Sequence, residues 1–196
     1  MAVLELTTLE RVKAYGTYAS PVAPATDTLL GQMIKSVSQR MSEYCYRSFE
    51  KASKTELRTA SGAYFPVLCS PITALSSVRV SSTGRRADLI ALDSTQYDIA
   101  PDNNGVNLWG VLPGSLVEVV YTGGLAANTA DVIASFPSLE NACLLQVTTL
   151  YKRHAMPDRQ STDMGNGSTQ WTGEYDLLAE VKSTLDQNYN ARHLFL

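Results

Sequence analysis

The apolar positions of the chain follow two different periods, and the change between them separates helical from β-rich parts. Residues 27–49 carry apolar side chains at steps of three and four, which predicts one long helix with a single apolar stripe: Leu30, Met33, Ile34, Val37, Met41, Tyr44 and Cys45. Thr26 or Asp27 can cap its start. The opposite face is polar, so the stripe must be buried against other parts of the chain or a neighbouring subunit.

Three further helices are expected at residues 5–15, 138–154 and 175–188, with apolar side chains again at helical spacing. Thr7 or Thr8 can cap the first of them and Gly16 ends it. Residues 155–173 are polar and rich in Gly, Ser and Thr, which predicts an exposed loop, and residues 189–196 form a C-terminal tail.

Between the long helix and residue 138 the apolar period falls to two, which is typical of strands. Seven short strands are expected within residues 55–123, separated by turn formers such as Thr83-Gly84 and Pro113-Gly114. Frequent turns favour an antiparallel sheet or a small β-sandwich over a βαβ repeat. The predicted fold is therefore α+β: one domain over residues 1–190, a helical bundle with an inserted antiparallel sheet or small sandwich and an extended C-terminal tail.

The composition of the chain limits the possible classes of function more than it limits the possible folds. The 196 residues are 44% apolar and 18% charged, with a net charge of −3, so the basic excess of a protein that grips nucleic acid by its phosphates is missing. Cys45, Cys69 and Cys143 are far apart in apolar surroundings, which predicts buried, reduced thiols. The first residues do not match a signal peptide, and no apolar run is long enough to span a bilayer, so we expect a soluble protein made in the cytoplasm, without a membrane partner.

No catalytic or metal-binding motif stands out. His154 and His193 do not stand at metal-ligand spacing from each other or from a cysteine, and Gly165-Asn166-Gly167-Ser168 lacks the lysine and preceding strand of a phosphate loop. Asp98 and Asp102 flank a strand end, where surface charge explains them best. We therefore expect no enzymatic activity, no cofactor and no metal.

Residues suited to contacts with other proteins are more prominent. The chain has 10 tyrosines, a residue type enriched at interfaces, and Trp171 lies in the polar loop, where it either docks on a partner or folds back. Arg85 and Arg86 occupy a predicted hairpin turn, where they are solvated or contact an acidic partner or a phosphate. The polar face of the long helix is a predicted subunit interface: Lys35, Gln39, Arg40, Glu43 and Tyr46.

Over about residues 5–190, an ordered set of residue groups resembles the head–tail connector (adaptor) proteins of tailed bacteriophages. The groups are LLGQMIKSVSQRMSEYCYRSFE in the long helix, Ser70-Pro71-Ile72 with Leu75, Ser77 and Val78, Tyr97-Asp98-Ile99, residues 117–124 ahead of Phe136-Pro137, Leu150-Tyr151-Lys152-Arg153, and residues 181–185. No single group is specific, and the order of the set carries the resemblance.

The resemblance implies a structural virion protein in the neck, made in the host cytoplasm. It would form a ring of about twelve subunits that docks beneath the portal protein, extends the channel through which double-stranded DNA passes without specific binding, and supports a stopper or tail protein. It also implies that a C-terminal segment reaches the portal, with these candidate contact residues: Tyr189, Arg192, His193, Leu194, Phe195 and Leu196.

Two alternatives stay open. The chain could be another neck or tail component, such as a stopper or tail-completion protein, which a partner other than the portal would favour. It could also be a small hydrolase whose site is assembled from distant residues. A deep pocket that brings His154 or Cys69 together with a carboxylate would favour that hypothesis.

Overall fold

In the computed structural model, residues 4–16, 24–155 and 176–189 are described. These residues form two compact units. Of the described residues, those up to Cys45 and those from Thr129 to Tyr189 form a helical unit, and residues 46–128, inserted between them in the chain, form a β unit. Within the described residues, no helix is both long and apolar enough to cross a bilayer.

Over its described residues, the helical unit contains five helices: α1 (Leu9–Tyr15), α2 (Pro24–Tyr44), α3 (Thr129–Ser135), α4 (Pro137–Ala155) and α5 (Ala179–Asn188). The predicted stripe of α2 faces inward, and Leu30, Ile34, Val37 and Met41 are buried. Helix α2 packs on α1 and α4, and α4 also packs on α3 and α5. Helix α4 is thus the central element, because it touches all four of the others.

The helix ends differ from the predictions in three places. Helix α2 starts at Pro24, so that Thr26 and Asp27 lie in its first turn and neither is the cap. It ends at Tyr44 and not at Phe49, because Tyr46 takes a positive φ of 54°, a left-handed conformation that stops a helix. Helix α3 was not predicted, and Asp131 lies in its first turn.

The capping predictions for α1 are confirmed. The Thr8 side chain accepts a hydrogen bond from the backbone N–H of Arg11, and the N–H of Gly16 donates to the carbonyl of Val12. Predicted helix 138–154 corresponds to α4, and predicted helix 175–188 to α5, which starts at Ala179. The predicted loop 155–173 lies outside the described residues apart from Ala155, which belongs to α4.

The β unit contains all seven expected strands: β1 (Ala52–Thr59), β2 (Tyr64–Pro66), β3 (Ile72–Ser81), β4 (Ile90–Ala91), β5 (Tyr97–Ile99), β6 (Gly105–Leu108) and β7 (Leu116–Gly123). They form a four-stranded sheet in the order β1-β7-β3-β4 and a three-stranded sheet in the order β2-β6-β5, both antiparallel. The α+β fold class with an inserted antiparallel β portion is therefore confirmed.

One apolar core joins the two sheets. Phe65, Val106 and Leu108 of the small sheet and Val119 and Tyr121 of the large sheet belong to the same buried cluster. Because each of the two sheets buries one face, buried and exposed side chains alternate along its strands. This alternation is the period of two that the sequence shows.

A polar network lies at the edge of this core. The hydroxyl of buried Tyr121 donates to the Glu56 carboxylate and accepts a hydrogen bond of 3.0 Å from the N–H of Cys69. Glu56 also accepts from the N–H of Leu68 at 2.8 Å and from Arg58 Nη2 at 2.7 Å. Burial, with the neighbouring Glu56 carboxylate, raises the pKa of Tyr121 well above its ordinary value. The network fixes residues 67–69 against β1 and β7.

Candidate interaction surfaces

The polar face of α2 is exposed as predicted, and its charges are loosely held. Lys35 Nζ lies 3.7 Å from Glu5 Oε1, with 69% of the lysine side chain exposed. Gln39 Nε2 donates to Glu43 Oε1 at 2.8 Å, one helical turn away. Arg40 is half-buried. Pairs this exposed contribute little to stability, so these side chains can exchange their partners for those of another protein.

Tyr46, the fifth residue predicted for this face, is not on the helix. It follows the end of α2, belongs to the β unit, and is 49% exposed. The prediction extended the helical spacing too far, because the left-handed turn at Tyr46 breaks it. The face that α2 offers therefore contains Lys35, Gln39, Arg40 and Glu43.

Arg85 and Arg86 are the two arginines that were predicted to lie in a hairpin turn. Both are exposed and lie between β3 and β4, where Gly84 takes a φ of 74° and a short 3-10 turn follows. Arg86 Nη2 lies 4.0 Å from Glu118 Oε2, and Arg79 Nη1 lies 3.6 Å from Glu118 Oε1. One largely buried carboxylate therefore lies near two guanidinium groups at this end of the β unit.

Large apolar side chains at the surface of the β unit are the signal that sequence reasoning missed. Ile90 on the two-residue edge strand β4 is 74% exposed, and Leu112 in the loop before β7 is 71% exposed. Trp109, just after β6, is 51% exposed. Exposed edges and apolar side chains are features of protein–protein contact surfaces. Ile90 lies in the short apolar run 89–92 and Leu112 follows Val111, so the sequence does not show which side chains of these runs are exposed.

Of the tail residues predicted to contact a partner, only Tyr189 lies in the described part of the chain. It is buried, its N–H donates to the carbonyl of Leu185, and its hydroxyl lies 2.7 Å from Ser138 Oγ on α4. Tyr189 thus belongs to the helical unit. Arg192, His193, Leu194, Phe195 and Leu196 lie outside the described residues, as does Trp171.

Cys69, one of the two residues on which the hydrolase alternative depends, is not placed as an activated nucleophile. Cys69 is buried, with Sγ 3.8 Å and 3.7 Å from the carbonyl oxygens of Ser48 and Glu50. Burial raises the pKa of this thiol, whereas a nucleophilic cysteine needs a lowered pKa. His154 lies in the last turn of α4, where it complements the helix dipole.

Asp102 and Tyr64 contribute to the structure of the β unit. Asp102 accepts a hydrogen bond of 3.0 Å from the N–H of Asn104 and thereby shapes the turn between β5 and β6. Burial, followed by the Asp102 charge, raises the pKa of Tyr64 to about 12. Within the described residues, no group of three or more His, Cys, Asp or Glu side chains is placed to hold a metal ion. Cys45, Cys69 and Cys143 are buried free thiols, as predicted.

Comparison with known proteins gives matches in structure alone, since no family model and no curated protein matches the sequence. A chain from the neck of an empty GTA particle, computed with C6 symmetry, superposes with a TM-score of 0.63 at 15% identity, covering 98% of this chain and 94% of that one. The chain has the fold of a particle neck protein.

Two further structures agree with this fold. A chain of the virion of a native gene transfer agent (GTA) particle matches with a TM-score of 0.61 at 12% identity over 97% of this chain and 92% of that one. A chain from the neck of a native GTA particle, computed with C12 symmetry, matches with a TM-score of 0.51 at 15% identity over 98% and 97%. The fold expected from the connector resemblance is thus confirmed over nearly the whole chain.

Proposed function

We propose that this chain is a structural subunit of the neck of a tailed phage or phage-like particle. It forms a ring that docks beneath the portal, extends the DNA channel and supports the next neck or tail component. The observation that carries the proposal is the neck-protein fold, which matches over 97–98% of the chain and includes both the helical and the β unit.

Symmetry supports a closed ring. The neck structures with this fold were computed with C6 and C12 symmetry, and a cyclic ring places two different faces of each subunit in contact. We propose twelve subunits for this chain, with the polar face of α2, containing Lys35, Gln39, Arg40 and Glu43, as one of the two faces. Its loosely held charges favour a polar contact that forms only when the subunits are concentrated on a partner.

The charge of the chain suits a channel wall. Attraction to phosphates is the main sequence-independent source of affinity for DNA, and a net charge of −3 provides little of it. A subunit of this kind lets DNA move past without gripping it. We further propose that Arg192, His193, Leu194, Phe195 and Leu196 contact the portal, and that Trp171, Arg85 and Arg86 contact the portal or the next component.

The test is assembly of the purified full-length chain with its cognate portal protein, followed by electron microscopy and mass photometry. We expect a subunit that is monomeric alone and forms a ring on the portal. Lys35→Glu should reduce ring formation at least about tenfold, since it places like charges at a subunit contact. Lys51→Glu, the same charge change at an exposed site of the β unit, is the matched control and should assemble normally.

If the chain does not bind the portal but binds a downstream protein, this result would favour a stopper or tail-completion role. A ring that forms equally well with Lys35→Glu would remove the α2 face from the subunit contact. Binding to neither neck component would overturn the proposal.

A further inference from the structure

The four-stranded sheet of the β unit ends on one side in β1, which pairs with β7 and with no other strand of the described chain. Its eight residues keep one register from Ala52, opposite Gly123, to Thr59, opposite Leu116, without a bulge. A strand at the edge of a sheet presents a row of backbone N–H and C=O groups to its surroundings. Strand β1 therefore offers a long and regular edge.

The hydrogen bonds at the end of β1 show which of its backbone groups face outward. In an antiparallel pair, successive residues point their N–H and C=O groups alternately towards and away from the partner strand. The N–H of Ala60 donates to the carbonyl of Ser115 at 2.8 Å, in the register that continues from β1 and β7. The even-numbered residues therefore bond to β7, and the outward groups belong to the odd-numbered ones: Ser53, Thr55, Leu57 and Thr59.

The far side of the sheet gives the same alternation. The carbonyl of Val78 on β3 accepts a hydrogen bond of 2.9 Å from the N–H of Leu92, so Val78 faces away from β7. Its partner on β7, Val119, therefore turns its backbone groups towards Glu56 of β1. Among the described residues, none forms a hydrogen bond with the outward backbone groups of β1.

The other edge of the same sheet is protected. Strand β4 is only two residues long, and β3 beside it has two irregularities in register, between Ile72 and Ala74 and between Leu75 and Ser77. Short edge strands and bulges prevent a sheet from pairing with another chain. Strand β1 has neither of these features and contains no proline. The contrast indicates an edge that is kept open for a partner.

The chemistry of the β1 edge determines what it binds. Outward N–H and C=O groups that repeat about every 6.8 Å match the backbone of another extended polypeptide. Ser53 and Thr55 are exposed, so an added strand can reach this edge. Lys54 Nζ lies 3.7 Å from Glu50 Oε2, a loose pair that leaves the ammonium group within reach of an acidic side chain on the added strand.

A second copy of this chain does not suit the edge. In a cyclic ring each subunit uses two different faces, so β1 would have to pair with another edge strand. The other edge strands of the described β unit are β2, β4 and β5, and none of them exceeds three residues. Pairing of β1 with a second β1 would close a two-fold dimer and would not extend into a ring.

We propose that β1 is the docking edge for an extended segment of a neighbouring neck protein, which joins the four-stranded sheet as a fifth strand. The segment forms backbone hydrogen bonds with Ser53, Thr55 and Leu57 and places an acidic side chain beside Lys54. This inference rests on the proposed neck function and deepens it, because it assigns the edge by which the subunit holds its partner.

Thr55→Pro in the full-length protein tests the proposal. Proline removes an N–H that faces outward and no hydrogen bond to β7, so the subunit should still fold with its strand pairing unchanged. The matched control is Thr55→Val, which keeps the N–H and the β-branched shape. Co-sedimentation is measured with the cognate portal protein and with the next neck component. Thr55→Pro should weaken binding to one of them at least about tenfold, whereas Thr55→Val should bind like the native chain.

Hydrogen exchange of the native chain is a second measurement, which does not depend on a variant. In the free subunit, the outward amides of Thr55 and Leu57 should exchange at least about tenfold faster than those of Lys54 and Glu56, which donate to β7. When the partner binds, the Thr55 and Leu57 amides should slow at least about tenfold, because they then donate to the added strand.

Other outcomes overturn the proposal. Outward amides that are already protected in the free protein would show that another part of the chain covers the edge. A Thr55→Pro variant that binds both neck proteins like the native chain would show that no strand is added there. In both cases a ring that still forms on the portal would leave the proposed function intact. If the native chain binds neither neck protein, the inference and the proposed function fail together.

Discussion

Arg11 and Glu140 form a two-point ion pair that ties α1 to α4. Arg11 Nη2 lies 2.9 Å from Glu140 Oε2, and Arg11 Nε donates to Oε1. Glu140 also accepts a hydrogen bond of 3.2 Å from the Thr7 hydroxyl, and its side chain is only 2% exposed while that of Arg11 is 48% exposed. The hydrogen bond to Glu140 raises the pKa of Arg11. The carboxylate is thus the buried member, and the guanidinium reaches it from the surface.

Replacing Glu140 should destabilise the helical unit. Glu140→Ala removes three hydrogen bonds and leaves the Thr7 hydroxyl buried without its acceptor, so we expect a loss of about 2 kcal/mol in the free energy of unfolding. Glu10→Ala, which changes an exposed carboxylate on α1, is the control and should alter the free energy little. Urea unfolding of both variants measures the difference. Equal stability of the two variants would mean that the ion pair is dispensable.

Gly123 should not accept a side chain. It lies at the end of β7, between Ala52 of β1 and Ile72 of β3, and a Cβ atom there would overlap the carbonyl oxygen of Cys69. We expect Gly123→Ala to cost about 3 kcal/mol or more, because backbone must shift on a crowded central strand. Thermal and urea unfolding check this.

Gly62→Ala is the matched control for that change. A Cβ atom at Gly62 would meet nothing within 4 Å, and its φ is not in the left-handed range. We expect Gly62→Ala to be neutral or to stabilise the protein by about 0.4–1 kcal/mol, because alanine lowers the conformational entropy of the unfolded chain. A neutral Gly123→Ala would show that the contact with Cys69 relaxes easily.

The thiol of Cys143 should make stability depend on pH in the alkaline range. Burial raises the pKa of Cys143 to about 12, and Ser38 Oγ lies 4.0 Å from its sulfur. An acid whose pKa is raised on folding stabilises the fold fully below its unfolded pKa of about 8.5 and progressively less as the pH rises towards 12. The difference in unfolding free energy between the native protein and Cys143→Ala should therefore shrink between about pH 8.5 and 11.

Urea unfolding at several pH values measures that difference. Other groups titrate alike in both proteins, so their effects cancel. A difference that stays constant from about pH 8 to 11 would contradict the prediction.

Ile90 and Leu112 should matter for assembly and not for stability. Both are more than two-thirds exposed, so Ile90→Ser and Leu112→Ser should shift the free energy of unfolding by less than about 0.5 kcal/mol. If the β unit contacts another neck component, the double variant should bind it several-fold more weakly. Ser82→Ala, an exposed site on the same unit, is the control for a co-sedimentation assay with the portal and downstream proteins. Undiminished binding would exclude these side chains from the contacts.

The sequence allowed most of the elements to be predicted, because each has a local signal. The stripe of α2 and the alternation in β7 come from burial of one face, which repeats along each element. Helix α3 was missed because a helix of seven residues is too short to show a clear apolar period. The end of α2 was missed because Tyr46 takes a left-handed conformation that a non-glycine residue rarely adopts.

Strand order and surface chemistry were not predictable in the same way. The first strand, β1, pairs with the last, β7, and nothing local in either strand specifies a partner so far away. The Arg11–Glu140 ion pair joins residues more than a hundred positions apart. An open groove beside α4 is lined by residues of separate helices. Of the candidate contact residues, the α2 face followed from periodicity. The positions of Tyr46, beyond the end of α2, and of Tyr189, packed against α4, depend on where helices end and pack, which no local pattern shows.

The pairing of β1 with β7 makes the β unit an exchangeable module. Ala52 lies opposite Gly123, and the N–H of Lys51 donates to the carbonyl of Ala126 at 2.7 Å, so the chain enters and leaves the unit at neighbouring points. The insertion interrupts the chain of the helical unit at one place only, between residues 45 and 129. Evolution or a protein engineer could replace or enlarge the inserted unit while the rest of the subunit kept its core.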